Sequence, residues 1–267
     1  MNTSTPSVMP LQLPQLCFSK LMRAITEFQL IDDGDRVLVG ISGGKDSIFL
    51  ACALVLLQQR MKKNFELQAL TINPQFDAAF DTERIAAYCH ALGIPHAVRN
   101  VDIAGAIRGQ GGKKACFTCA YFRRGAINRY AKESGCNKIA YAHHNDDAVG
   151  TFFMSLLYSG QLETFAPKTY LDRSNLTVIR PLIYIREQEI RDAMPKLGFR
   201  PVKSPCPYDG HTKRQTVKEL ISNMETKIPD LYAHLASAMR ESAITGLWPP
   251  AKTRKDMQKT YFGYMSE

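Results

Sequence analysis

The feature that most constrains the fold is a glycine-bearing turn that joins two apolar segments near the N-terminus. Arg36 to Ile41 is a short apolar run typical of a buried strand, and it leads directly into Ser42-Gly43-Gly44-Lys45-Asp46-Ser47. The apolar residues that follow predict a helix running to about Arg60. A strand that turns at glycines into a helix predicts a βα unit, and the free amide groups at the helix start favour an anion.

The rest of the chain repeats the alternation of strand and helix. Short apolar runs predict further strands at 65–72, 96–101, 138–142 and 177–182. The stretches between them predict helices at 17–28, 81–92, 146–159 and 187–194, and another that runs through Cys116 to about Gly135. This order predicts right-handed crossovers and an α/β fold with a doubly wound, mostly parallel sheet.

The sequence pattern divides the chain into three parts. Residues 1–16 contain prolines at positions 6, 10 and 14 and predict a flexible or extended N-terminal arm. Residues 17–205 predict the main α/β domain, which includes the insertion with two cysteines. From Gln215 to Ser242 the pattern is wholly helical, so residues 206–267 predict a small C-terminal helical extension.

Composition argues against a membrane-spanning or wholly disordered chain. Of the 267 residues, 45% are hydrophobic and 22% are charged, which is ordinary for a globular protein. The longest apolar run, Ile48 to Leu57, is about half the roughly twenty residues that a bilayer-spanning helix needs. The first sixteen residues carry no Lys or Arg and no apolar core typical of a secretory signal. We therefore expect a soluble, cytoplasmic protein without a membrane partner.

Basic residues are concentrated in two stretches. The net charge is +9, which is compatible with a polyanionic partner. Between residues 108 and 138, eight Lys and Arg stand against one acid, Glu133. Between residues 196 and 218, six stand against Asp209. Each stretch has two interpretations, a solvated surface or a surface that binds nucleic acid phosphates.

The glycine turn is suited to the phosphates of a nucleotide. Its two glycines let the backbone approach a phosphate closely, its two serine hydroxyls are donors, and its lysine adds positive charge. The GxxxxGK[ST] pattern of a Walker A loop is absent from the sequence. Asp46 stands out because a carboxylate repels phosphates unless a metal bridges the two, so we expect Mg²⁺. The alternative interpretation is a serine-rich helix cap on a tight turn.

Three of the seven cysteines have a spacing that suggests a metal centre. An odd number of cysteines argues against a disulfide framework. Cys116 and Cys119 lie at a predicted helix start and Cys206 on a predicted loop, so the fold can bring the three together. Three thiolates suit a [4Fe–4S] cluster with one iron free of protein ligands. A structural zinc site would want a fourth ligand, for which His211 is the candidate, and unliganded thiols are the third interpretation.

These motifs together resemble those of a known family. Val37 to Leu54 resembles the PP-loop of the N-type ATP pyrophosphatases, and the match narrows to the bacterial tRNA 2-thiocytidine synthetase (TtcA) family. Four further stretches carry the resemblance in the family's order, from about residue 15 to 240: Cys116-Phe117-Thr118-Cys119 with Arg123-Arg124-Gly125; His143-His144-Asn145-Asp146-Asp147; Pro167-Lys168 with Ile179-Arg180-Pro181-Leu182; and Pro205-Cys206.

The resemblance implies an ATP- and Mg²⁺-dependent sulfurtransferase that carries a [4Fe–4S] cluster. The substrate's carbonyl oxygen would attack the α-phosphorus of ATP, pyrophosphate would leave, and sulfur held on the open iron would displace AMP. The implied substrate is a tRNA pyrimidine, cytidine at position 32, which would become 2-thiocytidine. A homodimer is also implied, and the sulfur donor would be a cysteine desulfurase or inorganic sulfide.

The candidate site residues follow from the motifs and from the resemblance. Those expected to bind ATP are Gly40, Ser42, Gly43, Gly44, Lys45, Asp46, Ser47 and His143. Those expected to take part in catalysis are Asp46, Asp146, Arg123 and the three cluster ligands Cys116, Cys119 and Cys206. The candidates for RNA binding are Lys113, Lys114, Arg123, Arg124, Lys213 and Arg214. The alternatives are a solvated helix face for the arginines and a favourable helix N-terminus for Asp146 and Asp147.

Three positions depart from the family's usual pattern. The family usually has arginine at the position of Asn145, glutamate at that of Gly150, and often a second cysteine at that of Asp209. The first two departures favour an alternative in which the same chemistry acts on a different substrate. A second alternative is a non-catalytic RNA-binding or redox-sensing protein that keeps the cluster. A third is ligation of the tRNA-lysidine synthetase type, which has no need of the three cysteines.

Overall fold

Helices and strands alternate along the chain as the sequence predicts. The computed structural model describes residues 11–111, 114–207, 213–240, 253 and 255. The strands are β1 (Asp35–Gly40), β2 (Phe65–Asn73), β3 (His96–Asn100), β4 (Lys138–Ala140), β5 (Lys168–Leu171) and β6 (Leu176–Ile179). The helices are α1 (Gln15–Glu27), α2 (Lys45–Arg60), α3 (Thr82–Ala91), α4 (Ile103–Gly109), α5 (Ala115–Glu133), α6 (Asn145–Ser159), α7 (Glu187–Ala193), α8 (Lys213–Glu225) and α9 (Leu231–Ala238). A 3-10 helix over Met194–Leu197 follows α7.

The strands form one sheet in the order β3-β2-β1-β4-β6-β5. Neighbouring strands are parallel except β5 and β6, which form an antiparallel hairpin at one edge. In β1, Val37 lies opposite Leu67 of β2, and Leu38 lies opposite Ile139 of β4. The predicted doubly wound, mostly parallel α/β fold is confirmed. The strand order reverses between β1 and β4, and in such folds ligands bind at the carboxyl ends of the strands on either side of that point.

The sheet is covered on both faces. Successive side chains of a strand point to opposite faces, and β1 follows this rule. Val37 and Val39 are buried in a first core with α1, α2, α3 and α7, whereas Leu38 is buried in a second core with α4 and α5. Because both faces are occupied by helices, the edge formed by the strand ends is left for a site.

Besides the short 3-10 helix, α4 and β5 were not predicted from the sequence pattern. α4 has seven residues, two of them glycine, and begins where the Asp102 carboxylate accepts a 2.7 Å hydrogen bond from the Gly105 amide. β5 lies at the sheet edge and alternates exposed and half-buried residues, so it lacks the apolar run of a central strand. The strands predicted at 138–142 and 177–182 are shorter than expected, because the chain leaves the sheet at Tyr141 and Arg180.

The C-terminal helices pack on the main part of the molecule. Val217 of α8 and Leu231 of α9 share a third core with Phe152 and Phe153 of α6. Near the N-terminus, Leu11 is buried in the first core, whereas residues 1–10 and most of the chain beyond Trp248 lie outside the described residues. The division into arm, domain and extension stays a prediction. In the described part of the chain no helix is long and apolar enough to cross a bilayer.

Candidate active site

The glycine loop leaves β1 and closes on the first turn of α2. The Ser42 amide donates to the Ser47 hydroxyl at 3.2 Å, and that hydroxyl donates to the Gly44 carbonyl oxygen at 2.9 Å. The hydroxyl oxygens of Ser42 and Ser47 also lie 3.2 Å apart. These bonds fix the loop at the N-terminus of α2, the end of a helix that favours an anion.

Gly43 occupies a conformation and a space that suit only glycine. Its φ of +78° lies in the left-handed region, and a Cβ there would lie 2.8 Å from Cδ1 of Ile85 and 3.1 Å from Cβ of Val202. Its carbonyl oxygen accepts a 2.9 Å hydrogen bond from the Val202 amide. The segment that leads to Cys206 is therefore tied directly to the glycine loop.

Lys45 is bound by two carboxylates. Its Nζ atom lies 2.8 Å from Oε1 of Glu187 and 3.0 Å from Oδ2 of Asp46. Burial opposes the charge of the lysine, but these carboxylates outweigh burial and raise the pKa of Lys45. Lys45 is therefore a fixed positive charge at the loop, as a phosphate-binding lysine has to be.

Glu187 collects three cations beside the loop. Besides Lys45 it binds Lys218 of α8 at 2.5 Å and Arg191 at 2.6 Å. Although burial acts in the opposite direction, Lys218 and Lys45 lower the pKa of Glu187. The three cations neutralise this one carboxylate and fix it next to α2.

Asp46 has one carboxylate oxygen without a hydrogen bond. Its Oδ1 atom is buried and has no hydrogen-bond partner among the described residues, although Nε2 of His144 lies 3.8 Å away. A buried carboxylate oxygen without a donor is costly unless a cation binds it. This oxygen therefore fits the predicted Mg²⁺, a hard cation that takes oxygen ligands.

Asp146 links the start of α6 to the start of α7. Its Oδ2 atom accepts a 2.7 Å hydrogen bond from the Glu187 amide, and its Oδ1 atom accepts a 3.1 Å bond from Nε of Arg186. Burial opposes the charge, but contacts with His144, Glu187 and Arg186 lower the pKa of Asp146 to about 2. Asp146 is a fixed carboxylate, and its part in catalysis stays a prediction.

His144 and Asp147 complete the charged cluster. The buried ring of His144 lies 3.5 Å from Oδ2 of Asp146 and 3.4 Å from Oδ2 of Asp147. Burial disfavours the charged ring, but the surrounding carboxylates raise the pKa of His144. Asp147 in turn binds Arg214 of α8 at 3.1 Å. Together with Lys218, Arg214 brings the C-terminal helices into this site.

His143, a predicted ATP-binding residue, lies among aromatic rings. Its ring centroid is 5.8 Å from that of Tyr141 and 5.0 Å from that of Phe165, and the Arg180 guanidinium lies 4.9 Å from the Phe165 centroid. Burial lowers the pKa of His143, so its ring is neutral at pH 7. The Tyr141 ring also lies 3.5 Å from where a Cβ on Gly40 would be. This group therefore adjoins the end of β1.

The three predicted ligand cysteines are close enough together for two of them to affect the pKa of the third. Burial raises the pKa of Cys119, Arg123 lowers it, and the nearby Cys206 and Cys116 raise it further. Cys116 is exposed, whereas the other two are half-buried. Within the described ranges, no three Cys, His, Asp or Glu side chains are close enough together to hold a metal ion. Three soft thiols are the donor set that a [4Fe–4S] cluster takes, and their role as ligands stays a prediction.

Two of the four predicted RNA-binding residues at α5 and the turn before it are exposed. Lys114 and Arg124 are exposed. Arg123 is half-buried, and its Nε atom has no hydrogen-bond partner in the described structure. The fourth residue of this group, Lys113, lies outside the described residues, as do His211 and Asp209.

The two predicted RNA-binding residues of α8 already have partners. Lys213 lies 4.5 Å from the ring centroid of Tyr158, and Arg214 is bound to Asp147 at the charged cluster. Arg214 therefore belongs to the charged cluster, whereas Lys213 contacts a half-exposed ring of α6. Their role in RNA binding stays a prediction.

The sequence assigned no role to Glu187, Lys218 or Arg180. Arg180 follows β6, whose carboxyl end lies at the same sheet edge as the glycine loop. The rule that ligands bind at this edge was therefore a signal that could have found it. Glu187 stands in the sequence only as the first residue of a predicted helix, and no sequence pattern pairs it with Lys218.

The glycine loop and the parallel sheet define the class of protein. The PP-loop domain family matches residues 18–224. The tRNA-cytidine(32) 2-sulfurtransferase of Ralstonia pickettii (strain 12J) is 35% identical over 227 residues, which cover 83% of this chain and 71% of that protein. The protein of the same description from Geobacter sulfurreducens is 36% identical over 221 residues, 81% of this chain and 86% of that protein. This chain therefore belongs to the tRNA-cytidine(32) 2-sulfurtransferase family of PP-loop proteins, as its motifs predict.

A solved structure shares the fold. The U34-tRNA thiolase NcsA from Methanococcus maripaludis, solved with its [4Fe-4S] cluster, aligns with a TM-score of 0.71 over 90% of this chain and 86% of that chain. The two sequences are 21% identical, so the likeness concerns the fold alone.

Proposed function

We propose that this protein is an ATP-dependent sulfurtransferase that replaces the C2 oxygen of cytidine 32 in tRNA with sulfur. The observation that carries the proposal is the anion site at the glycine loop, tied through Val202 to the segment that carries Cys206. One backbone hydrogen bond thus joins the glycine loop to the segment that leads to Cys206, which supports a nucleotide and a thiol group acting together. The names of the relatives in Ralstonia and Geobacter support the choice of cytidine 32 as substrate.

In the first step the C2 oxygen of the base attacks the α-phosphorus of ATP. The bond from that phosphorus to the bridging β-phosphate oxygen breaks, and pyrophosphate leaves with the electron pair. Amide groups at the start of α2 and the ammonium of Lys45 bind the phosphates, and Glu187 holds Lys45 at the loop before nucleotide arrives. A Mg²⁺ ion on Asp46 would neutralise the phosphate charge.

In the second step hydrosulfide sulfur attacks C2, the carbon–oxygen bond breaks, and AMP leaves with that oxygen while the sulfur gives up its proton. Cys116, Cys119 and Cys206 would hold a [4Fe–4S] cluster, which supplies when bound an iron without a protein ligand on which sulfur can be carried. The positive charge of Arg123 lowers the pKa of Cys119. The buried Nε atom of Arg123 has no hydrogen-bond partner among the described residues, so this side chain is suited to bind the phosphate of the leaving AMP. Sulfur enters at the level of sulfide, so no electrons are required.

The proposal also specifies the molecules with which the protein would act. tRNA would bind the exposed cations at α5, among them Lys114 and Arg124. The sulfur would come from inorganic sulfide, or from a cysteine desulfurase whose persulfide sulfur is first released as sulfide by a thiol reductant. The protein would act as a homodimer in the cytoplasm.

The test uses anaerobically purified protein, reconstituted with iron and sulfide and incubated with unmodified tRNA transcript, ATP, Mg²⁺ and sulfide. Mass spectrometry of the digested tRNA is expected to detect 2-thiocytidine, with AMP and pyrophosphate formed alongside. A transcript with uridine at position 32 should gain no 2-thiocytidine. Release of ADP and phosphate would contradict the proposal, and AMP without 2-thiocytidine would favour the same chemistry on another substrate.

A further inference from the structure

Two aromatic side chains lie exposed on α5, the helix that carries Cys116 and Cys119. Phe117 is 65% exposed and Tyr121 is 63% exposed. Because they are four residues apart in one helix, they share a face and lie one turn apart. The ring of Phe122 packs edge-on against Tyr121, with 5.6 Å between centroids. Phe117 and Tyr121 are called the aromatic ledge below.

The folding of α5 does not account for the aromatic ledge. This helix packs through Ala115, Ile127 and Ala131, which are buried in the second core. The aromatic ledge lies on another face of the helix, and most of the surface of its side chains is not covered by any described residue, so their apolar surface is in contact with water. Exposed apolar surface of this kind next to a site marks a contact with another molecule.

The charge of α5 indicates the chemistry of that molecule. From Lys114 to Lys132 the sequence carries basic residues and no acid. Exposed Arg124 lies one turn beyond Tyr121. Rings interleaved with arginines suit single-stranded nucleic acid, because bases stack on the rings while phosphates bind the cations. A second copy of this chain is disfavoured, because a two-fold contact would bring the same cations of both helices together.

We propose that the aromatic ledge stacks unpaired bases of the tRNA loop that carries the target cytidine. This rests on the proposed function and adds to it a surface that holds the loop open on the helix that carries Cys116 and Cys119. A base has to leave its stack before its C2 atom can react, and stacking on protein rings replaces part of what is lost.

The test compares the full-length protein with Phe117→Leu, Tyr121→Leu and the double variant, in binding to unmodified tRNA transcript and to duplex RNA of similar length. Each leucine is expected to weaken tRNA binding about tenfold, because it keeps the apolar volume and removes the stacking ring. Binding to duplex RNA, which offers no unpaired base, should be unchanged. Phe117→Tyr and Tyr121→Phe keep a ring and should bind tRNA like the wild type.

A matched control and the salt dependence separate stacking from other effects. Tyr170 on β5 is 57% exposed, and Tyr170→Leu should leave tRNA binding unchanged. The leucine variants should also keep the wild-type salt dependence, because no ion pair is removed. Leucine variants that bind tRNA like the wild type would overturn this proposal alone, and so would a dimer that becomes monomeric on the substitution. Wild-type protein that binds no tRNA would overturn the proposed function together with it.

Discussion

The nucleotide side and the cysteine side of the site differ in how far the protein's own contacts complete them. On the nucleotide side, Lys45, Glu187 and Asp146 are joined to one another and to neighbouring helices by short ion pairs and hydrogen bonds. On the cysteine side, Cys116 is exposed and the buried Nε atom of Arg123 has no hydrogen-bond partner in the described chain. Buried charges are stable only when paired. Lys45, Glu187 and Asp146 are therefore held in place before any ligand arrives, whereas the exposed thiol of Cys116 is open to another molecule.

The largest expected effect comes from Asp46, which, like His143, His144 and Arg180 on the nucleotide side, has a buried polar atom without a hydrogen bond among the described residues. Asp46→Asn removes the carboxylate whose Oδ1 atom has no hydrogen bond among the described residues. If that oxygen holds Mg²⁺, pyrophosphate release should fall by a factor of about 1,000 or more. The measurement is AMP and pyrophosphate formation under saturating ATP. Asp172→Asn, an exposed carboxylate in the turn between β5 and β6, is the matched control, and a loss below tenfold would argue against a metal on Asp46.

The second prediction is that loss of a ligand cysteine affects the cysteine side and leaves the nucleotide side intact. Cys116→Ala, Cys119→Ala and Cys206→Ala should each reduce iron from about four per chain to near zero and abolish 2-thiocytidine formation. ATP binding should remain within about threefold of the wild type, because none of these cysteines contacts the charged cluster on α2 and α7. Iron analysis and nucleotide titration measure the two effects.

The control for the cysteine variants is Cys136→Ala, since Cys136 is buried in the second core. It should keep its iron and its transfer activity. Stoichiometric zinc in the wild type, lost on His211→Ala, would instead point to a structural zinc site.

The third prediction concerns stability and pH. The pKa of Asp146 is about 2, against an ordinary value of 3.8, so its charged form contributes about 2 kcal/mol to the free energy of unfolding. This contribution is complete above about pH 4 and is lost as the pH falls toward 2. Asp146→Asn should therefore unfold at lower urea at pH 7, with a difference from the wild type that narrows below pH 4. A difference that stays constant down to pH 3 would assign the loss to packing rather than charge.

The smallest expected effect concerns the salt dependence of tRNA binding, and it compares one cation on the cysteine side with one on the nucleotide side. Lys114 is exposed beside α5, so Lys114→Ala should weaken tRNA binding a few-fold and lower the slope of log affinity against log salt by about one. Arg214 is bound to Asp147, so Arg214→Ala should leave that slope unchanged. Equal slopes for the two variants would show that both sides contact RNA phosphates alike.

The sequence predicts the elements whose pattern is local. The sheet and the edge where the site lies were predicted from the apolar run of β1, the glycine loop and the alternation of strands and helices. α4 was missed because its helix depends on the Asp102 cap rather than on an apolar stripe, and β5 because an edge strand has no continuous apolar run.

The site itself was predicted only in part. Motif residues such as Lys45 and Asp146, which lie at this sheet edge in the structure, were singled out because their types and spacing carry chemistry. Glu187 and Lys218 were not found, because their contact joins two elements far apart in sequence and depends on how α8 packs on α6. The exposure of Phe117 and Tyr121 is likewise a property of the folded helix, since an aromatic residue in a sequence is more often buried.

Gly43 also limits the substitutions that the loop can accept during evolution. Its neighbour Gly44 has extended backbone, and a Cβ there would make only an ordinary 3.5 Å contact with the Ser42 hydroxyl. At Gly43 two barriers coincide, since a side chain would meet Ile85 and Val202 and the backbone would remain left-handed even if both were trimmed. No single compensating substitution elsewhere can remove both barriers. Within the protein alone, a side chain is therefore sterically tolerated at the second glycine of the loop and not at the first, so any restriction at Gly44 has to come from the nucleotide.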